Sequence, residues 1–167
     1  MRSPKQIVYV DTNVIIEATR TGCIKAILNH YDVRTVEEVR KESLKVPKNR
    51  RSYVKVDESM FGSQVDVSPV GAADVLRAAA KAPGLTTLDK GERDLLAHVA
   101  GLNNSGVWVI TTADRAAVKG ACALGLGNRM ISLEELASTC GQKPKLNEWF
   151  TKVWLRTIKT ECLFEGL

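Results

Sequence analysis

Acidic side chains at the ends of two short apolar runs are the first residues whose type and position could do chemistry. Asp11 directly follows Ile7-Val8-Tyr9-Val10, and Asp114 follows Val107-Trp108-Val109-Ile110 after Thr111-Thr112-Ala113. Such β-branched runs are too short for helices and suit buried parallel strands. Ligands of open parallel sheets bind beyond the carboxyl ends of the strands. If these two strands are neighbours, both carboxylates face one crevice. Each aspartate also has a plainer reading, since Asp commonly caps the helix after a strand and Thr111-x-x-Asp114 fits a capping box.

Two further acids sit on helical stretches. In the helix expected from about Asp89 to Leu102, Leu95, Leu96, Val99 and Ala100 form the apolar stripe, and Glu92 lies on it. An inward carboxylate is costly unless a cation or donors meet it. Asp94 and His98 share the opposite, polar side as an i,i+4 pair, which makes Asp94 the solvated acid. Asp89-x-x-Glu92 is also readable as a helix cap with its box partner. In the helix expected from Thr35, a plausible N-cap, to about Leu44, the buried side is Val36, Val39 and Leu44. Glu42 sits near the edge of that stripe, with Glu38 in reserve and Glu37 beyond the other edge.

Several carboxylates with only two histidines, His30 and His98, and no C-x-x-C among four cysteines point to a hard, oxygen-loving cation rather than zinc. Asp11, Glu42, Glu92 and Asp114 are the candidate metal ligands and catalytic residues, for one such ion or a pair. Such an ion lowers the pKa of a bound water and stabilises charge developing on a phosphate. Like charges this close raise carboxyl pKa values when no ion is bound. Thr12, Asn13, Thr111 and Thr112 are placed to orient the acids or the water.

The elements that position these residues alternate between strand and helix. Helix is expected over about Val14 to Asn29, broken near Gly22, then a brief strand around Val33. Gly71 to Lys81 is Ala-rich and helical, and Pro83-Gly84 stops it. After Asp114 a helix runs to near Gly125, Met130-Ile131 is a short strand, and Ser132 to Glu135 opens a helix with a capping box. The alternation predicts an α/β fold: a three-layer α/β/α sandwich with a short central parallel sheet, in one domain over residues 1–167. Residues 45–68 read as a basic loop or loosely helical insertion, and 145–167 as an amphipathic C-terminal helix carrying Trp149 and Trp154, which are expected to pack it on the body.

The chain has 24 Lys plus Arg against 19 Asp plus Glu, a net charge of +5 that suits a polyanionic partner. Lys48, Arg50, Arg51 and Lys55, with Tyr53 among them, and Arg115 beside Asp114 are candidate RNA-phosphate contacts; a solvated charged loop fits the first group equally. No signal-peptide core follows Met1, and no apolar run approaches the ~20 residues of a membrane helix. The expectation is a cytoplasmic protein without a membrane partner, its cysteines free thiols.

Four pieces in order carry a resemblance: the strand ending in Asp11-Thr12-Asn13; Thr35-x-x-x-Val39-x-x-Glu42; Gly91-Glu92-Arg93-Asp94-Leu95-Leu96-Ala97; and the strand followed by Thr112-x-Asp114-Arg115. Over roughly residues 7–137 the chain resembles the PIN-domain ribonucleases, in the subset where Glu92 stands for the more usual Asp. The resemblance implies an α/β/α fold and a Mg²⁺- or Mn²⁺-dependent endoribonuclease whose acidic quartet is Asp11, Glu42, Glu92 and Asp114, supported by Asn13 and Thr112. Many bacterial members are toxins that dimerise and are blocked by a small antitoxin protein, so a homodimer and an antitoxin join RNA among the implied partners. Neither the 45–68 stretch nor the Trp-containing tail belongs to the pattern. Two other readings compete. One is a non-catalytic RNA-binding or interaction module of the same fold. The other is a haloacid-dehalogenase-like phosphatase, whose second Asp would fall where this chain has Asn13.

Overall fold

A computed structural model describes residues 3–45, 54–102 and 106–165. Among them, four strands alternate with eight helices: β1 (Ile7–Val10), α1 (Thr12–Arg20), α2 (Ile24–His30), β2 (Asp32–Val36), α3 (Glu37–Leu44), β3 (Val65–Ser68), α4 (Ala72–Lys81), α5 (Lys90–Ala100), β4 (Trp108–Thr111), α6 (Arg115–Ala123), α7 (Leu133–Thr139) and α8 (Lys152–Glu165). The strands form one sheet in the order β3-β2-β1-β4, and every pairing is parallel. This is the three-layer α/β/α sandwich with a short parallel sheet. No helix among the described residues is long and apolar enough to cross a membrane.

Alternation along the strands divides the core. Val10 of β1, Val33 of β2 and Val65 of β3 share one face, where Val14, Ile15 and Ala18 of α1, Ile24 and Ile27 of α2, and Leu133 and Leu136 of α7 gather over them. On the other face Tyr9 packs its ring against His98 of α5 and edge-on against Trp108. Gly22, at φ +79°, makes the break between α1 and α2 in a conformation that glycine adopts freely.

Three local expectations are corrected. Thr35 is not a helix cap but the fourth residue of β2. Its side chain is fully buried, its Oγ1 donates to the Val10 carbonyl at 2.7 Å, and α3 starts after Val36 without a side-chain cap. The stretch read as a basic loop holds β3, which pairs with β2 from Val33↔Val65 to Val36↔Ser68; four residues between Gly62 and Pro69 gave too little alternation to stand out. Asp94 is not solvated: it is 8% exposed and bonded to the Arg93 guanidinium at 3.0 Å. The helical wheel failed there because α5 has neighbours on several sides, packing against α3, α4 and α6 as well as β2.

At the C-terminal end, Glu148–Phe150 form a single 3-10 turn before α8. Phe150 is buried, Trp154 leans half-buried on the core, and Trp149 is 47% exposed. The packing role expected of both tryptophans is thus shared by Phe150 and Trp154. Lys48, Arg50, Arg51 and Tyr53 lie outside the described residues.

Candidate active site

β1 and β4 are neighbours, with Val10 opposite Thr111. The chain winds outward from β1 through β2 to β3 and then returns to the other side of β1, so the point where strand order reverses lies between β1 and β4. That is where open α/β sheets open a crevice at their carboxyl ends, and Asp11 and Asp114 follow the two strands that border it.

Asp11 is 1% exposed. It caps α1: Oδ1 accepts from the Thr12 backbone N–H at 2.7 Å and Oδ2 from the Thr112 hydroxyl at 2.9 Å. Burial, with Glu42 and Asp114 adding repulsion, pushes its carboxyl from 3.8 up to about 6 despite those donors. Asp114 is half-buried and caps α6, accepting from the Ala117 N–H at 2.9 Å. The Thr111 capping box does not form, because α6 begins only after Asp114.

Glu92 comes from the first turn of α5 and is 8% exposed. No donor among the described residues reaches its carboxylate. Burial raises it from 4.5 to about 8, and Asp11, Asp114, Asp89 and Glu42 all add repulsion. Asp89 is the N-cap residue of α5 as the cap reading had it, but its side chain makes no capping hydrogen bond and no box with Glu92 forms. Glu42, from the last turn of α3, accepts from the Thr12 hydroxyl at 2.9 Å and from the Gly91 N–H at 2.9 Å. Gly91 permits that approach. A Cβ there would sit 2.8 Å from the Glu42 carboxyl carbon, inside van der Waals contact. Glu38, the reserve choice, pairs instead with Lys90 at 3.0 Å.

Glu42 and Asp114 are therefore close enough to raise Asp11, and all three are close enough to raise Glu92, from four separate segments of the chain. Of the supporting residues, Thr12 and Thr112 bond Glu42 and Asp11. The Thr111 carbonyl accepts from the Asp11 N–H at 3.3 Å, while the buried Thr111 hydroxyl has no partner. Asn13 is exposed on α1. Arg115 is exposed and paired with Glu161 of α8; Lys55 is exposed before β3. Sequence reasoning missed Gly91 as donor and spacer, although a glycine in the first turn of a helix was a visible signal. It also missed Glu17, 4% exposed, which accepts from Arg20 and from Asn147 at 2.9 Å and ties the 145–147 segment to α1.

The donor set suits a hard divalent cation: it is all oxygen, one carboxylate has no donor, and two are held above their ordinary pKa by burial and mutual repulsion. Among the described residues no three Asp, Glu, His or Cys side chains converge as a ready ligand cage. The hydrogen bonds account for this, because Glu42 is drawn to Thr12 and Gly91, and Asp114 to the start of α6. No protein-family model matches the chain, and no curated protein matches it. The fold and these residues define an α/β/α protein with four carboxylates brought toward its topological switch point.

Proposed function

We propose that the chain is a divalent-metal-dependent endoribonuclease of the PIN type, hydrolysing RNA phosphodiester bonds at Asp11, Glu42, Glu92 and Asp114. The observation that carries this reading is Glu92, a buried carboxyl that no donor among the described residues reaches and that the charges of Asp11, Asp114 and Glu42 raise further. Mg²⁺ or Mn²⁺, when bound, supplies Lewis-acid stabilisation of the phosphate and lowers the pKa of a water. Asp11 and Glu92 are the most buried of the four; Glu42 and Asp114, held by Thr12, Gly91 and the start of α6, would turn toward the ion on binding. Thr112 fixes the Asp11 carboxylate, and Thr12 and the Gly91 N–H fix Glu42. At neutral pH the metal-free protein holds a proton on Glu92, and binding a cation releases it. Lys90 and Arg115, exposed near the pocket and each held by an acid, are available to exchange that acid for an RNA phosphate.

Within this reading the chain acts on RNA in the cytoplasm, either as a housekeeping nuclease or as a toxin whose further partners are a small antitoxin protein and a second copy of itself. The exposed Trp149, Val153, Leu163 and Phe164 offer apolar surface for such contacts. The test is Mn²⁺ titration by calorimetry followed by cleavage of a single-stranded RNA. Saturable binding and cleavage, both lost in Asp11→Asn, support the reading. Cleavage without added metal, or undiminished in Asp11→Asn, overturns it. RNA binding without cleavage would leave the non-catalytic module, which the engagement of Glu42 and Asp114 by protein donors favours.

A further inference from the structure

We propose that a groove along α8 binds the backbone of single-stranded RNA, with Lys152, Arg156 and Lys159 on its phosphates and Trp149 stacked on a base. The three cations fall at i, i+4 and i+7 of α8 and so share one side of the helix. They line a groove of about 290 Å³ together with the buried Met130 and Leu155. The ion pairs of α8 are Glu161 with Arg115, Glu165 with Lys119 and, at the long distance of 3.9 Å, Lys152 with Glu135. Among the described residues Arg156 and Lys159 therefore pair with no acid. The helix that carries them is fixed before any ligand arrives: Leu155 and Ile158 are buried, and the Lys152 N–H donates to the Glu134 carboxylate at 3.1 Å. Trp149, three residues before Lys152, is 47% exposed at the N-terminal end of the row.

Charge, length and ring select the occupant. From Lys152 to Lys159 the helix rises about 10 Å, the length of about three stacked phosphates at roughly 3.4 Å each. A cation row that tracks a backbone, with an aromatic side chain beside it, is how proteins hold single strands. A duplex would offer the phosphates but no free base to the Trp149 ring. A second copy applying the same face would set like charges against each other. Glu161, two residues past Lys159, meets Arg115, which follows Asp114. The row thus ends about 3 Å along the helix from the residue that joins α8 to the start of α6. RNA in this groove is gripped apart from the contacts proposed for Lys90 and Arg115. The consequence for cleavage rests on the nuclease reading; the binding does not.

The experiment titrates the full chain into a fluorescein-labelled single-stranded RNA, in EDTA so that the RNA stays whole, and follows anisotropy at graded salt. Arg156→Gln with Lys159→Gln should weaken binding about 10-fold and flatten the log–log salt slope by about 1.4, which is two phosphate contacts. Trp149→Ala should weaken binding about 5-fold or more and leave the slope unchanged, because stacking releases no counterions. Arg77→Gln with Lys81→Gln removes the same charge from exposed positions on α4 and should change neither quantity. Circular dichroism should show all three variants folded, since Gln and Ala are good helix formers and the sites are at the surface. An unchanged slope in the α8 pair, an equal fall in the α4 pair, or no effect of Trp149→Ala overturns the proposal. A polyglutamate peptide that binds the chain as tightly as the RNA, and loses that binding in the α8 pair, overturns RNA as the occupant in favour of an acidic protein. With Mn²⁺ present, the α8 pair should raise KM for RNA more than it lowers kcat. Binding that behaves as expected with no cleavage by the unaltered chain is a failure of the nuclease reading alone.

Discussion

Replacing Glu92 by Gln should make the metal-free protein more stable, and more so as the pH rises. The Glu92 carboxyl stands at about 8 in the folded chain against an ordinary 4.5. A raised acid binds a proton in the native state that the unfolded chain has already released. Its stabilising contribution is therefore complete below pH 4.5 and is lost as the pH climbs through about 8. Each pKa unit corresponds to about 1.4 kcal/mol, so full ionisation weakens the native state by on the order of 5 kcal/mol. In a chain of this length that is a fall in Tm on the order of 10 °C. The assay is thermal unfolding in EDTA at pH 6.5 and pH 9, a window above the Asp11 value of about 6. Across it the unaltered protein should lose the part of this above pH 6.5, about 2 kcal/mol or roughly 5 °C in Tm, and Glu92→Gln should stay nearly level and be the more stable of the two at pH 9. Adding Mn²⁺ at pH 9 should restore the unaltered protein and do little for the variant. Parallel Tm–pH lines for the two proteins in EDTA would refute the reasoning, because then no repelled carboxylate sits at position 92.

Asp114→Asn should keep the cap on α6, since Asn caps as well as Asp, yet lose Mn²⁺-dependent RNA cleavage; a gel assay beside a circular-dichroism melt separates the two effects. Gly91→Ala should displace the flexible Glu42 carboxylate rather than the backbone, so Mn²⁺ affinity by calorimetry should drop about 10- to 100-fold with a small change in Tm. Thr12→Val, which removes the hydroxyl bonded to Glu42, should lower the same affinity less. Changing Arg50 and Arg51 together to Ala should weaken RNA binding and flatten its dependence on salt in fluorescence titrations.

The fold was legible wherever one periodicity dominated. β1 stands where its β-branched run predicts, and the helix break at Gly22 and the Ser132 to Glu135 capping box are both present. Legibility failed where the environment of an element, rather than its own pattern, decided burial. Asp94 reads as exposed because a wheel assumes one dry side, whereas α5 is enclosed on several. Thr35 reads as a cap because Thr caps helices, whereas its hydroxyl satisfies the Val10 carbonyl inside the sheet. For the candidate site, sequence order alone brought Asp11 and Asp114 to strand ends, but their adjacency depended on β4 joining β1, which no local pattern encodes. The reach of Glu42 to the Gly91 N–H, across 49 positions of chain, lay equally beyond sequence reading.

The place of β1 in the sheet has a consequence for biosynthesis. Its partner on one side, β2, leaves the ribosome soon after it, but its partner on the other side, β4, emerges only after two more crossovers. Until Thr111 has been made, that flank of β1 is an open edge able to recruit a foreign strand. Asp11 likewise waits there without Thr112 or Asp114. A nascent chain should thus acquire protection from aggregation, and the proposed capacity for divalent ions, at the same moment, when the last strand docks.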